Sequence, residues 1–296
     1  MIEEITSEED PADVTPAAPG AEAEAEGHFS FAALAPVSMA IAAGEDKELA
    51  AQFTKWGLDS YMQLHTFKFG GHFQRHMSEQ LLQDFLNDAT VQGTWQGAGR
   101  RAGTVAGPFG AVTRPRLKEV PCTQTSLSFF DRLQDPAECA GDPEQAVVHA
   151  ETSLIKQCMD IWHGGLTLSN KLQELLVAEE SENFEMYTSA ERKELLFRLF
   201  RHLVIGGGLC QYEDRVQPYY DATKKMYKEL LTVRKKEETG AVEVVTLCYE
   251  LKNFRSSSAA LFPDKAAENN ICLLFINPPK KTVTVYYNCW LSVLDM

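Results

Sequence analysis

The periods of apolar residues divide the sequence into three stretches: a mixed one, a helical one and one of period two. In the first, Phe29-Ser30-Phe31 alternates like a short strand. Leu49, Phe53 and Trp56 fall at i, i+4 and i+7, which predicts a helix over 46–57 that Gly57 ends. Tyr61 to Phe69 alternates loosely through Met62, Leu64, Phe67 and Phe69, as a strand does. Ser78 is placed to cap a second helix with Leu81, Leu82, Phe85 and Leu86 on one face.

The second stretch begins near residue 146 and reads as helical. Leu154, Ile155, Cys158, Met159 and Trp162 form a stripe that Gly164-Gly165 would end. Ser169 then caps a short helix through Leu172, Leu175 and Leu176. Thr188-x-x-Glu191 is a capping box ahead of Leu195, Leu196, Leu199, Phe200 and Leu203, with Gly206-Gly207-Gly208 as the stop. A further helix follows Pro218 and offers Tyr219, Tyr220, Met226, Tyr227, Leu230 and Leu231 for packing.

The third stretch has period two. Residues 242–251 and 271–276 are β-rich, and 282–293 alternates cleanly. Val283, Val285, Tyr287, Cys289, Leu291 and Val293 share one face; Thr282, Thr284, Tyr286, Asn288, Trp290 and Ser292 share the other. Asn277-Pro278-Pro279-Lys280 supplies the turn before it. The expected fold is α+β: a smaller N-terminal α+β part, a central helical segment and a C-terminal antiparallel meander. The boundaries expected are a disordered acidic tail over 1–27, an N-terminal lobe over 28–96, a Gly/Arg-rich loop or linker over 97–119, and a main region over 120–296 with helices in 146–233 and strands in 242–294. A second polar loop is expected over 135–145. There is no internal repeat and no heptad seam.

Composition sharpens this picture in two places. The net charge of −14 is uneven, because residues 1–27 hold nine acids and no Lys or Arg. The remainder has 33 acids against 28 bases, a mild −5 that argues against wholesale phosphate or nucleic-acid binding. The seven cysteines are odd in number and show no C-x-x-C spacing, as expected of reduced, mostly packed thiols. No run approaches the roughly 20 apolar residues that cross a bilayer. Neither membrane nor nucleic acid is expected as a partner.

Each candidate for chemistry has a plainer reading. His72 and His76 have the i, i+4 spacing of a zinc helix, but Phe73 stands where the glutamate base belongs. Gly206-Gly207-Gly208 follows a helix, whereas a phosphate loop precedes one. Cys210 has Glu213 and Asp214 nearby, and carboxylates oppose thiolate formation. Glu213-Asp214 has the composition of an acid–base pair, yet adjacent acids also suit a helix start. Cys122 has no accompanying signature, and Lys224, Lys225, Lys228, Arg234, Lys235 and Lys236 read as a solvated face. Neither a catalytic constellation nor a cofactor or metal site is expected.

Two strings are distinctive in themselves. One is Val120-Pro121-Cys122-Thr123-Gln124, continuing through Ser128-Phe129-Phe130 and Arg132-Leu133. The other is Gly206-Gly207 followed by Leu209-Cys210-Gln211-Tyr212-Glu213-Asp214, Pro218-Tyr219 and Tyr227-Lys228. Together they resemble the signature of the cilia- and flagella-associated protein 300 family, closely over 120–235 and more loosely over 29–95 and 240–294. Residues 1–27 and 97–114 depart from the family pattern. The resemblance implies a non-enzymatic cytoplasmic and ciliary factor needed for outer and inner dynein arms. Its implied partners are dynein assembly factors, axonemal dynein arm subunits and the intraflagellar transport machinery that would carry it to the axoneme. Gln211, Tyr212, Glu213 and Asp214 are the first candidates for partner contact, with Thr123 and Gln124 second. Their plainer role is as turn and cap residues between core helices. The alternative function is a small-molecule-binding protein or enzyme with a site near Cys210–Asp214.

Overall fold

A computed structural model describes residues 28–34, 47–59, 62–95, 110–135, 146–235, 240, 242–255, 261–262 and 269–289. The expected tail 1–27, most of the Gly/Arg-rich segment and most of the polar segment 135–145 lie outside these residues.

The mixed α+β architecture is as expected, and its centre is one antiparallel sheet. Its strands, in chain order, are β1 (Phe31–Ala33), β2 (Met62–Phe69), β3 (Thr113–Val120), β8 (Leu247–Arg255), β9 (Ile271–Asn277) and β10 (Thr282–Asn288). Their spatial order is β1-β2-β10-β9-β8-β3, and the short strands β6 (Val233–Lys235) and β7 (Val242–Val244) pair with each other outside it. The chain thus lays down both edges first and fills the middle last. In this sheet β10 pairs with β2 along its length, Val285 opposite His65, so N-terminal and C-terminal strands share one ladder.

Both faces of the sheet are covered. On one side Leu64, Leu273, Phe275 and Tyr286 meet the helices α1 (Lys47–Lys55), α4 (Lys171–Val177), α5 (Leu195–Ile205) and α6 (Gln217–Leu230). On the other, Phe67, Leu274, Val283, Val285 and Tyr287 meet α2 (Ser78–Asn87) and α3 (Ala89–Thr94). This double cover explains why β9 is buried at every position, and why Ile271-Cys272-Leu273-Leu274-Phe275-Ile276 is a continuous apolar run. The cover reaches both faces of β10, where Tyr286 and Asn288 are buried as well as Val283, Val285 and Tyr287.

Four local expectations are corrected. The segment 97–119 was expected to be a loop or linker, but its end is strand β3, which pairs with β8 through a register irregularity around Arg116. Pro115 is accommodated because β3 is an edge strand. The stripe 154–162 is not a helix: Gln157–His163 is β4, paired with β5 (Leu166–Asn170) in a separate hairpin. Gly164 and Gly165, with φ of 56° and 88°, make the tight hairpin turn that a pair of glycines favours. Ser78 does not cap α2: a 3₁₀ turn over Arg75–Met77 already leads into the helix, and Ser78 Oγ donates to the Arg75 carbonyl at 2.6 Å. Finally, the cap of α4 is Asn170 rather than Ser169, its side chain accepting from Gln173 N at 2.9 Å.

The Thr188–Glu191 box forms reciprocally, with Thr188 N–H donating to Glu191 at 2.8 Å and Glu191 N–H to Thr188 Oγ1 at 3.3 Å. It opens a 3₁₀ turn over Glu191–Lys193, and α5 begins two residues later.

Candidate functional site

The second distinctive string is the connection between α5 and α6. Gly206 ends α5 with φ of 65°, a conformation that glycine adopts freely. From there the chain folds back on the end of α1. Gly207 N–H donates to the Trp56 carbonyl and Gln211 N–H to the Lys55 carbonyl, both at 2.8 Å. Backbones approach so closely that a Cβ on Gly207 would overlap the Gly57 carbonyl oxygen.

Side chains fasten the same contact. The fully buried Trp56 donates its Nε1–H to Glu213 Oε1 at 3.0 Å, and Lys55 Nζ reaches Glu213 Oε2 at 2.8 Å. Glu213 N–H donates to the Tyr219 hydroxyl at 3.0 Å, while the Tyr219 ring lies against Trp56 with centroids 4.8 Å apart. Tyr212 is partly buried, and its hydroxyl lies 3.5 Å from the Thr167 carbonyl of β5. Gln211 and Asp214 are exposed. The loop is therefore a clasp: Glu213 points inward, and its neighbours on either side form a rim.

The clasp disfavours nucleophilic chemistry at Cys210. Burial first, and then the Glu213 carboxylate, push the thiol up to about 12, with Lys55 opposing. A thiol at that level stays protonated at neutral pH, so it lacks the thiolate that attack requires.

The first distinctive string sits at the other end of α5. Thr123 N–H and Oγ1–H donate to the Glu194 carboxylate at 2.9 and 2.6 Å, and Gln124 N–H donates to it at 3.3 Å. Glu194 is the residue that precedes α5, and Leu195 N–H donates to the Pro121 carbonyl at 2.8 Å. The Tyr227 hydroxyl donates to the Gln124 carbonyl at 2.7 Å. So the structure does not bring 123–124 and 211–214 into one site. It ties both to α6, through Tyr227 and Tyr219, which stand about 12 Å apart along the helix.

Sequence reasoning missed the partners that hold these strings: Lys55, Trp56 and Glu194. A helix ending in Lys-Trp-Gly beside a distant Gly-Gly pair is the only signal of the clasp. It also missed a depression of about 520 Å³ lined by Arg192, Arg198, Arg201, Glu250 and Lys252. There Arg198 Nη1 and Lys252 Nζ each reach Glu250 at 2.6 Å. Burial alone would raise Glu250, but Arg198 and Lys252 outweigh it and hold the carboxylate below its usual range. Arg192 donates to the carbonyls of Leu175, Leu176, Phe184 and Tyr187, which closes the C-terminus of α4.

The remaining candidates are accounted for separately. His72 and His76 are exposed, and His72 shares a hydrogen bond with Gln74 at 3.1 Å. Among the described residues no cluster of metal-ligating side chains occurs, and no helix is long and apolar enough to cross a membrane.

Comparison with known proteins places both strings in one context. The family model for Cilia- and flagella-associated protein 300 matches residues 28–288. The chain belongs to the cilia- and flagella-associated protein 300 family. The Cilia- and flagella-associated protein 300 of Chlamydomonas reinhardtii is 32% identical over 183 residues, 61% of this chain and 68% of that protein. That of Paramecium tetraurelia is 28% identical over 249 residues, 84% of this chain and 90% of the relative. No solved structure matches. The match to the cilia- and flagella-associated protein 300 family spans the sheet, both helical layers and the clasp, so the association with cilia and flagella applies to the whole fold.

Proposed function

We propose that this protein is a non-enzymatic factor for assembling outer and inner axonemal dynein arms and delivering them by intraflagellar transport. In this reading it binds dynein assembly factors, arm subunits or the transport machinery as an adaptor, in the cytoplasm and the cilium. The observation that carries the reading is the fate of Glu213. Both oxygens of this carboxylate, the most shielded acid of the matched loop, are taken up by Trp56 and Lys55. The loop then offers a shaped surface with Gln211 and Asp214 on its rim, while its inward acid is taken up in holding the fold together. Thr123 is exposed at the far end of α5 and serves as a second contact.

The test is removal of the protein from a ciliated cell. Outer- and inner-arm heavy chains should both fall in isolated axonemes while tubulin is unchanged. Axonemes with both arms at full abundance would overturn the proposal. Salt extraction separates a delivered factor from a fixed axonemal component: the former is released, the latter stays.

A further inference from the structure

We propose that the β4–β5 hairpin is a docking element for a partner protein whose surface carries an apolar recess ringed by lysine or arginine. The inference rests on the adaptor reading only in taking the partner to be a protein. Large apolar side chains concentrate here on the outside. Met159 is 89% exposed, Trp162 75%, Leu154 42% and Ile161 38%. Trp56 and Trp95, by contrast, are fully buried. Exposed Trp and Met this close in the chain have the composition of an interface centre.

The hairpin is also well seated. Leu166 and Leu168 of β5 are buried in the core, so β4 is held outward by a fixed partner strand. Leu154 forms a bridge with Arg215, and Ile155 N–H donates to the Asp214 carbonyl at 2.8 Å. With Tyr212 against Thr167, the hairpin and the clasp rim are continuous.

Charge selects the occupant. Asp160 stands among the apolar residues, and exposed Glu151, Glu180 and Asp214 lie on adjoining segments, against Lys156, Arg215 and the His163 ring 3.5 Å from Glu180. An acidic rim around an apolar centre is matched by a basic rim around an apolar recess. A second copy of this chain would present the same acids, and an anionic membrane would be repelled by them. Strand addition to the outer edge is disfavoured, because the register of β4 shifts between Gln157 and Ile161 and interrupts a regular ladder. Recognition therefore runs through side chains.

The experiment uses the full chain with Met159 replaced by photoreactive p-benzoylphenylalanine, irradiated in ciliated-cell cytoplasm, with the crosslinked peptide sequenced by mass spectrometry. Expected is a peptide from another protein that carries apolar residues flanked by Lys or Arg. Its yield should fall about ten-fold with the paired reversal Glu151→Lys and Asp160→Lys, with the far-ultraviolet circular dichroism unchanged. A like fall is expected with Trp162→Ala. Any of these would overturn the proposal: yield no higher than from the same probe at exposed position 224, a crosslink to a second copy or to lipid, a peptide without basic residues, or indifference to the charge reversal. A basic peptide from a protein unconnected with dynein arms would uphold the docking element and defeat the proposed function; intact arm dependence without any crosslink would do the reverse.

Discussion

Trp56 and Glu213, 157 residues apart, are joined by a 3.0 Å hydrogen bond from the indole N–H to a carboxylate oxygen. This contact fixes the end of α1 to the loop between α5 and α6. It makes the most distinctive string of the chain part of the fold's closure as well as part of its surface.

Two substitutions separate the roles of Glu213. Glu213→Gln keeps an acceptor for the indole and loses the ion pair with the partly exposed Lys55, costing under about 1 kcal/mol. Glu213→Ala leaves the buried Trp56 N–H without its acceptor and costs about 1–3 kcal/mol. Denaturant unfolding checks the pair, and equal losses would contradict the assignment.

Gly207→Ala tests the close approach. The added methyl group meets the Gly57 backbone, which cannot swing aside as a flexible side chain would. Expected is a loss of at least about 1–3 kcal/mol. Hydrogen exchange should rise in 47–57 and 206–214 before the rest of the sheet. Uniform exchange across the protein would argue against a local clasp.

His202 gives the fold a pH dependence. It is buried between Asn269, whose Oδ1 accepts at 3.1 Å, and Asn288, whose amide lies 3.4 Å from Nε2, an arrangement that suits the neutral ring. Burial lowers its pKa from 6.5 to about 4. Between those values the unfolded chain takes up a proton that the folded chain refuses. Stability is therefore full above the unfolded pKa and declines as the pH falls toward the folded one, by roughly 3 kcal/mol in total. His202→Gln should flatten urea midpoints measured across that window. Equal slopes in both proteins would show that other groups carry the dependence.

Glu194→Ala removes the carboxylate that Thr123 and Gln124 share. Both backbone N–H groups and the Thr123 hydroxyl lose their acceptor, so a cost of about 1–3 kcal/mol is expected, with faster exchange over 121–126. Asp214→Ala, at an exposed side chain, should stay within about 0.5 kcal/mol of wild type. Thermal melts distinguish the two.

The helices α1, α2, α5 and α6 were legible because each carries an apolar face at helical spacing. The strands β9 and β10 were legible from β-branched and aromatic runs bounded by Pro-Pro. The hairpin 157–170 was not, since Cys158, Met159 and Trp162 also fit a helical stripe and Gly164-Gly165 serves a helix stop as well as a hairpin turn. Strand β3 was hidden by Arg114, Pro115 and Arg116, which an edge strand tolerates and a central one would not. At the candidate site the strings themselves stood out. Their anchors Trp56 and Glu194 did not, because contacts across 157 and 71 residues leave no local pattern.

The most direct test of the adaptor reading is co-purification of the full-length protein from ciliated-cell cytoplasm, with bound proteins quantified by mass spectrometry. Expected is enrichment of axonemal dynein arm subunits or dynein assembly factors over a control protein. Recovery of the folded protein without any of them would contradict it.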